Sequence, residues 1–136
     1  MSAFTEAEEQ YLVTQMLGRL ATIGPDGAPQ VRPVGFTFNR SLGTIDIGGR
    51  NMSSSRKFHN VRADGRVSFV VDDLASIKPW LPRGVEIRGT AVALVAAPLD
   101  DGSSADLIRI HPLRIFGWGL DSNAFGKTNA RAVSAD

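Results

Sequence analysis

The sequence predicts an α+β fold that is mainly β, a barrel with short flanking helices. Three observations lead there. About six segments alternate or run apolar over strand lengths, with Gly, Pro, Asn and Asp between them. One amphipathic helix precedes them all. A second, shorter helix interrupts them between the third and fourth strands. Strands at such spacing close on themselves or stack as a sandwich.

The elements follow in order. Thr5 with Glu8 is a capping-box pattern, in which each residue's side chain satisfies the other's backbone amide. Leu12, Val13, Met16 and Leu17 then recur at helical spacing, and Gly18 stops the run, so a helix is expected over 6–17. Arg19 to Ile23 reads as a strand, Pro25-Asp26-Gly27 as a turn, and Ala28 to Phe38 as the second arm of a hairpin. Pro33 lacks a ladder donor, which assigns it to an edge or a bulge. Asn39 to Gly43 is the next turn and Thr44 to Gly48 the third strand. Ser53 to Ser55 caps a short helix ending near Ala63, before Asp64-Gly65. Arg66 to Val71 is a β-branched and aromatic run, hence a buried strand. Residues 72–83 are expected as a loop bearing Pro79, Trp80 and Pro82, and 85–95 as a long strand. After a loop over 98–104, residues 107–120 read as a last strand or strand pair, interrupted by Pro112 and Gly117. The small, polar tail from Asp121 is expected to be mobile or to lie against a partner.

The 136 residues fit one domain, with its core over about 5–120 and a tail over 121–136. A domain of this size leaves much of its surface exposed, so a second copy would help to enclose a large ligand. The net charge is +1, from 15 basic and 14 acidic side chains, which gives no global case for nucleic acid or for an anionic membrane surface. Basic function has to come from local clustering. The absence of cysteine excludes disulfides, thiolate catalysis and Cys-based zinc sites, and suits a reducing cytoplasm. Met1 to Glu6 has neither a basic nor an apolar leader region, and no run approaches a membrane span. The expectation is a cytoplasmic protein that binds neither membrane nor nucleic acid.

Four segments carry chemistry. In Ser53-Ser54-Ser55-Arg56-Lys57, hydroxyls and backbone N–H groups gather at a helix start, where the dipole favours an anion. Arg56 adds a planar fork for phosphate oxygens and Lys57 a point charge. The same five residues also read as a solvated basic helix with a serine cap, and pattern alone leaves both open. The stretch Val31-Arg32-Pro33-Val34, followed by Gly35, is either a backbone edge for a planar heteroaromatic ring or an edge strand protected by its proline. Trp80 and Arg83 share a Pro-bounded loop and line a pocket or anchor an interface. Trp118, between Gly117 and Gly119, stacks on a ligand or packs in a core. His59 and His111 form no metal pair, no metal site is expected, and no catalytic acid, base or nucleophile is identified. Redox chemistry survives that absence, because a cofactor carries it while the protein supplies position and electrostatics.

Gly18 to Gln30, with its Arg19-Leu20-Ala21-Thr22 and Pro25-Asp26-Gly27 runs, resembles the opening hairpin of the pyridoxamine-phosphate-oxidase-like split-barrel superfamily. Ser55 to Arg62, followed by Gly65-Arg66-Val67-Ser68-Phe69, resembles its phosphate-binding helix and next strand. Pro82 to Gly89 and Ile110 to Ile115 resemble a narrower branch. That branch contains actinobacterial enzymes using the deazaflavin coenzyme F420, among them the reductases that complete tetracycline-type antibiotics. The match spans about residues 5–120.

The resemblance implies an FMN-binding-like split β-barrel and a homodimer with two cofactor sites at the interface. It implies that Ser55, Arg56 and Lys57 meet the cofactor phosphate and that Val31, Arg32, Pro33 and Val34 run along the ring system. Trp80, Arg83 and Trp118 would approach from the partner chain. The Trp/Arg-rich ending of true pyridoxamine phosphate oxidases is not present, which speaks against vitamin B6 oxidation. The expected activity is hydride transfer from reduced F420 to a conjugated, enone-type small molecule. The alternatives are an FMN-dependent oxidase or reductase, or a non-catalytic flavin, deazaflavin or haem binder. The turn at Gly48-Gly49-Arg50-Asn51 offers backbone room, and Arg50 a charge, to a cofactor tail that continues past its phosphate. FMN has no such tail.

Overall fold

The computed structural model describes residues 2–97, 99–101, 104–120 and 128–134. Helix α1 (Glu6–Thr14) opens on the expected capping box. The Thr5 Oγ1 accepts from the Glu8 amide at 3.1 Å, and the Glu8 Oε1 accepts from the Thr5 amide at 2.9 Å, a cap worth about 1 kcal/mol. The helix stops at Thr14, three residues before the expected end. Thr14 turns its hydroxyl back onto the Tyr11 carbonyl, and Leu17 and Gly18 are taken into the first strand opposite Gly35 and Val34. Sheet pairing outcompetes the last helical turn.

Strands β1 (Leu17–Ile23) and β2 (Pro29–Gly35) form the expected hairpin. Its turn uses Gly27 at φ 83° and the Asp26 carboxylate, which accepts from the Ala28 amide. The expected strand over 28–38 is divided at Phe36, beyond which β3 (Thr37–Asn39) pairs with β4 (Thr44–Ile47). A single 3-10 turn (Met52–Ser54) leads into α2 (Arg56–Ala63). Then come β5 (Arg66–Ser76), β6 (Leu81–Leu94), β7 (Leu107–Trp118) and β8 (Thr128–Ala132). All strand pairs are antiparallel, in the order β2-β1-β5-β6-β7-β4-β3, with β8 on the far half of β7. The sheet curls into the half-barrel of a split-barrel fold. Pro33 lies in β2 at a sheet edge, where its missing donor costs nothing.

The loop expected over 72–83 is instead largely sheet. Asp72 and Asp73 look like solvated loop carboxylates, yet Asp72 bonds Arg19 and Asp73 bonds Arg83, its cross-strand neighbour. Pairing across strands neutralises the charges that suggested a loop. Only Ile77 to Trp80 remain as the turn, with a cis Lys78–Pro79 peptide. Residues 107–118 form one strand despite Pro112. The register steps there, with Gly89 opposite Pro112 and Arg88 opposite Arg114, so Leu113 has no partner in β6 and forms a bulge. A Cβ on Gly89 would sit 2.2 Å from the His111 carbonyl oxygen, so only glycine fits that approach. The tail departs most from expectation. Thr128–Ala132 is a strand, whereas 121–127 and 135–136 lie outside the described residues.

The core fills the concave side of the sheet. Leu20, Phe69, Ile87, Ile108 and Ile115 point inward by strand alternation, and Leu12 of α1 joins them. Helix α2 contributes Phe58 and Val61 and packs on β1, β6 and β7. This burial fixes the start of α2 beside the β1–β2 edge.

Candidate functional site

Between that edge and α2 lies a cavity of about 770 Å³. Strand β1 contributes Leu20 and Thr22, β2 contributes Gln30 to Pro33, and α2 contributes Arg56 and Lys57. The hairpin register sets Gln30 opposite Thr22 and Arg32 opposite Leu20. Alternation then puts Gln30 and Arg32 on the same side of the sheet as α2. Of the residues anticipated from sequence, five line this space: Val31, Arg32, Pro33, Arg56 and Lys57.

The local chain explains how α2 begins here. Asn51 adopts a left-handed conformation, φ 56°, and the Ser54 hydroxyl donates back to its carbonyl. The Ser55 hydroxyl donates to the Met52 carbonyl at 2.6 Å and accepts from the Phe58 amide at 3.3 Å. The Ser53 hydroxyl meets Asp106, helping to hold that carboxyl below its usual range behind the larger effect of the Ala96 amide. The three serines therefore brace the turn with their hydroxyls. That leaves the first backbone amides of the helix, those of Arg56 and Lys57, as the open donors.

Charge distinguishes this corner. Arg19, Arg40, Arg66, Arg83, Arg88, Arg109 and Arg131 each hold a carboxylate. Among the described residues, Arg32, Arg50, Arg56, Lys57, Arg62, Lys78 and Arg114 hold none, and of these Arg32, Arg56 and Lys57 line the cavity. Three cations converge on one cavity with their charge uncompensated, and with the open amides of the helix start beside them for an anion.

The other anticipated residues sit apart from the cavity lining. Val34 is buried in the core. Gly49 and Arg50 lie in the exposed turn ahead of α2. Trp80 caps the β5–β6 turn and is 59% exposed. Arg83 makes a two-pronged bond to Asp73 at 2.7 and 3.0 Å and lies 5.0 Å over the Tyr11 ring. The Arg83 bond, with the Tyr11 hydroxyl, holds the Asp73 carboxyl below its usual value against burial. Burial and Asp73 together push the Tyr11 hydroxyl far up. Trp118 covers Gly84, where a Cβ would fall 2.6 Å from the indole.

Sequence reasoning missed Leu20, Thr22 and Gln30, and with them Asn60 beneath. Asn60 is 4% exposed, and its Nδ2 donates to Thr22 Oγ1 at 3.0 Å and to Gln30 Oε1 at 2.9 Å. A signal existed: Thr22 falls at an inward position of β1, where an apolar residue is the rule.

Comparison with known proteins agrees with this architecture. Residues 4–128 match the family described as pyridoxamine 5'-phosphate oxidase. A reductase of 5a,11a-dehydrotetracycline and 5a,11a-dehydrooxytetracycline from Streptomyces rimosus is 43% identical, over 98% of this chain and 95% of that protein. A conserved hypothetical protein of Mycobacterium tuberculosis superposes with a TM-score of 0.68 at 24% identity, covering 98% of this chain and 95% of that one. A solved structure named F420 reductase superposes with a TM-score of 0.61 at 22% identity, over 82% of this chain and 98% of its own. The two structural likenesses speak to the fold.

Proposed function

The chain belongs to the pyridoxamine 5'-phosphate oxidase family, and from that premise we propose that it is an oxidoreductase carrying hydride from reduced F420 to a conjugated, enone-type acceptor. The observation that carries the reading is the group of unpaired cations, Arg32, Arg56 and Lys57, lining one cavity beside a strand edge. This donor set fits a phosphate-bearing cofactor. Arg56 and Lys57 hold the phosphate with charge-assisted hydrogen bonds, helped by the open amides at the start of α2. The edge from Val31 to Pro33 borders the ring system. When bound, F420 supplies the hydride; the protein aligns it with the acceptor and keeps water out. The 43% identical relative, a reductase of dehydrotetracyclines, supports an acceptor of that chemical kind.

F420 is favoured over FMN by the turn ahead of α2. Gly48, Gly49, Arg50 and Asn51 are all exposed. A Cβ on Gly48 would meet nothing within 4 Å, and one on Gly49 only the Met52 methyl at 3.8 Å. Arg50 has no carboxylate partner among the described residues. An anionic tail running past the phosphate has both space and a cation there, whereas FMN ends at its phosphate. We further take the working form to be a homodimer in which Trp80, Arg83 and Trp118 serve the partner's site.

Parallel titrations with F420 and FMN, followed by turnover of a dehydrotetracycline with reduced F420, test the proposal. Tighter binding of F420 and acceptor reduction are expected. FMN co-purifying at near-full occupancy, or binding more tightly than F420, overturns the cofactor choice.

A further inference from the structure

Asn60 lies beneath the cavity floor, touching two of its lining residues from below. Its Nδ2 carries two protons, and both are spent, one on Thr22 Oγ1 and one on Gln30 Oε1. Each acceptor is thereby committed. Gln30 has its carbonyl oxygen turned to Asn60, so its Nε2 protons are the group left for the cavity. Thr22 has given a lone pair to Asn60, and its own O–H has no acceptor among the described residues. Thr22 is 3% exposed and lines the cavity, so its hydroxyl proton is a buried donor that a group seated there can receive. Gln30 packs close over Gly24, where a Cβ would fall 2.6 Å from Nε2.

We propose that Asn60 is a positioning residue that sets the hydrogen-bond polarity of the cavity, committing Thr22 and Gln30 to donate. With Arg32, Arg56 and Lys57, which have no acceptor to offer, the polar side chains of the lining become rich in donors. The group seated among them is then one that presents acceptor oxygens alone, a phosphate ester in its ionised form. This inference deepens the cofactor reading above and rests on it for the identity of the natural ligand. Its physical content is the donor-rich polarity, which a simpler anion reports.

Asn60→Asp keeps the shape but accepts where the amide donates, so Thr22 and Gln30 can turn their donors inward and the fold retains its bonds. Full-length wild type, Asn60→Asp, Thr22→Val and Thr22→Ser are titrated with inorganic pyrophosphate, F420 and FMN, with thermal melts to confirm folding. At about pH 8, Asn60→Asp should bind pyrophosphate about tenfold or more weakly than wild type. The deficit relative to wild type should shrink towards about pH 5 as the introduced carboxyl protonates. Thr22→Val should lose about fivefold, and Thr22→Ser should restore it, because only the hydroxyl matters. A packing role alone gives neither the pH-dependent recovery nor the serine rescue. Pyrophosphate bound equally by wild type, Asn60→Asp and Thr22→Val, or by none of them, overturns the inference. Pyrophosphate binding that follows the expected pattern while neither F420 nor FMN binds upholds the polarity and removes the cofactor reading instead.

Discussion

Arg131 of β8 grips the carboxylate of Glu8 in α1, with Nη1 donating to Oε2 at 3.0 Å and Nη2 to Oε1. Nη2 also reaches the Ala3 carbonyl at 2.9 Å. Glu8 is 2% exposed and this guanidinium is its ion-pair partner, beside the Thr5 amide, so the C-terminal strand is tied to the first helix. Arg131→Ala strands a buried carboxylate and should destabilise the fold by about 3–5 kcal/mol. Urea unfolding of both proteins measures it. A loss within about 0.5 kcal/mol, the scale of an ordinary surface substitution, would show that β8 is not latched this way.

Acid should weaken the protein through Asp46. Burial raises this carboxyl, but hydrogen bonds from Arg109, Asn39 and Thr44 outweigh it and hold it below its ordinary value. A carboxyl depressed in the folded state contributes stability above its unfolded pKa and loses it as pH falls through the folded one. The melting temperature should therefore be level near neutrality and fall below about pH 4, where unfolded carboxyls begin to protonate. Asp73, depressed chiefly by Arg83, adds to the same limb. Asp46→Asn should flatten the acid limb in melts recorded across pH; an unchanged slope would assign acid sensitivity elsewhere.

The sequence was most legible where local chemistry and tertiary structure agree. The Thr5–Glu8 box, the Asp26-Gly27 turn and the start of α2 are set by neighbours within a few residues, and all formed as read. Asp72, Asp73 and Pro82 were misread because their partners, Arg19, Arg83 and the facing strand, are supplied by the sheet. Strand β8 was missed because five small or polar residues pair with β7 by backbone and carry little apolar signal. In the candidate site, the cations on α2 and β2 were visible as residue types. Thr22, Gln30 and Asn60 were not, since their roles exist only through bonds between positions distant in sequence.

The proposed homodimer would cover exposed apolar groups. Met16 is 83% exposed, Ile77 70%, Trp80 59% and Leu17 56%. Leu17 and Val31 lie at outward positions of adjacent strands, where a second copy would bury them. Sedimentation at low micromolar concentration should give a dimer, and Trp80→Glu should shift it towards monomer. A monomeric wild type that still binds cofactor would remove the shared-site arrangement.

The cavity cations should act through affinity rather than stability. Lys57 and Arg32 have no carboxylate partner among the described residues, so removing either breaks no ion pair in the free protein. Lys57→Ala should weaken F420 binding by about 1.5–3 kcal/mol, the worth of a hydrogen bond to a charged group. Arg32→Ala should do the same, because a guanidinium facing a phosphate makes a bond of that class. Both variants should melt close to wild type, and both should show a shallower loss of affinity with salt, one screened contact having gone. Arg40→Ala is the control: that side chain is 69% exposed, pairs with Glu9 of α1 and does not line the cavity, so it should leave affinity unchanged. Titrations of the three variants at two salt concentrations decide the matter. Equal affinities for Lys57→Ala, Arg32→Ala and wild type, in proteins with intact melts, would move the phosphate out of this cavity.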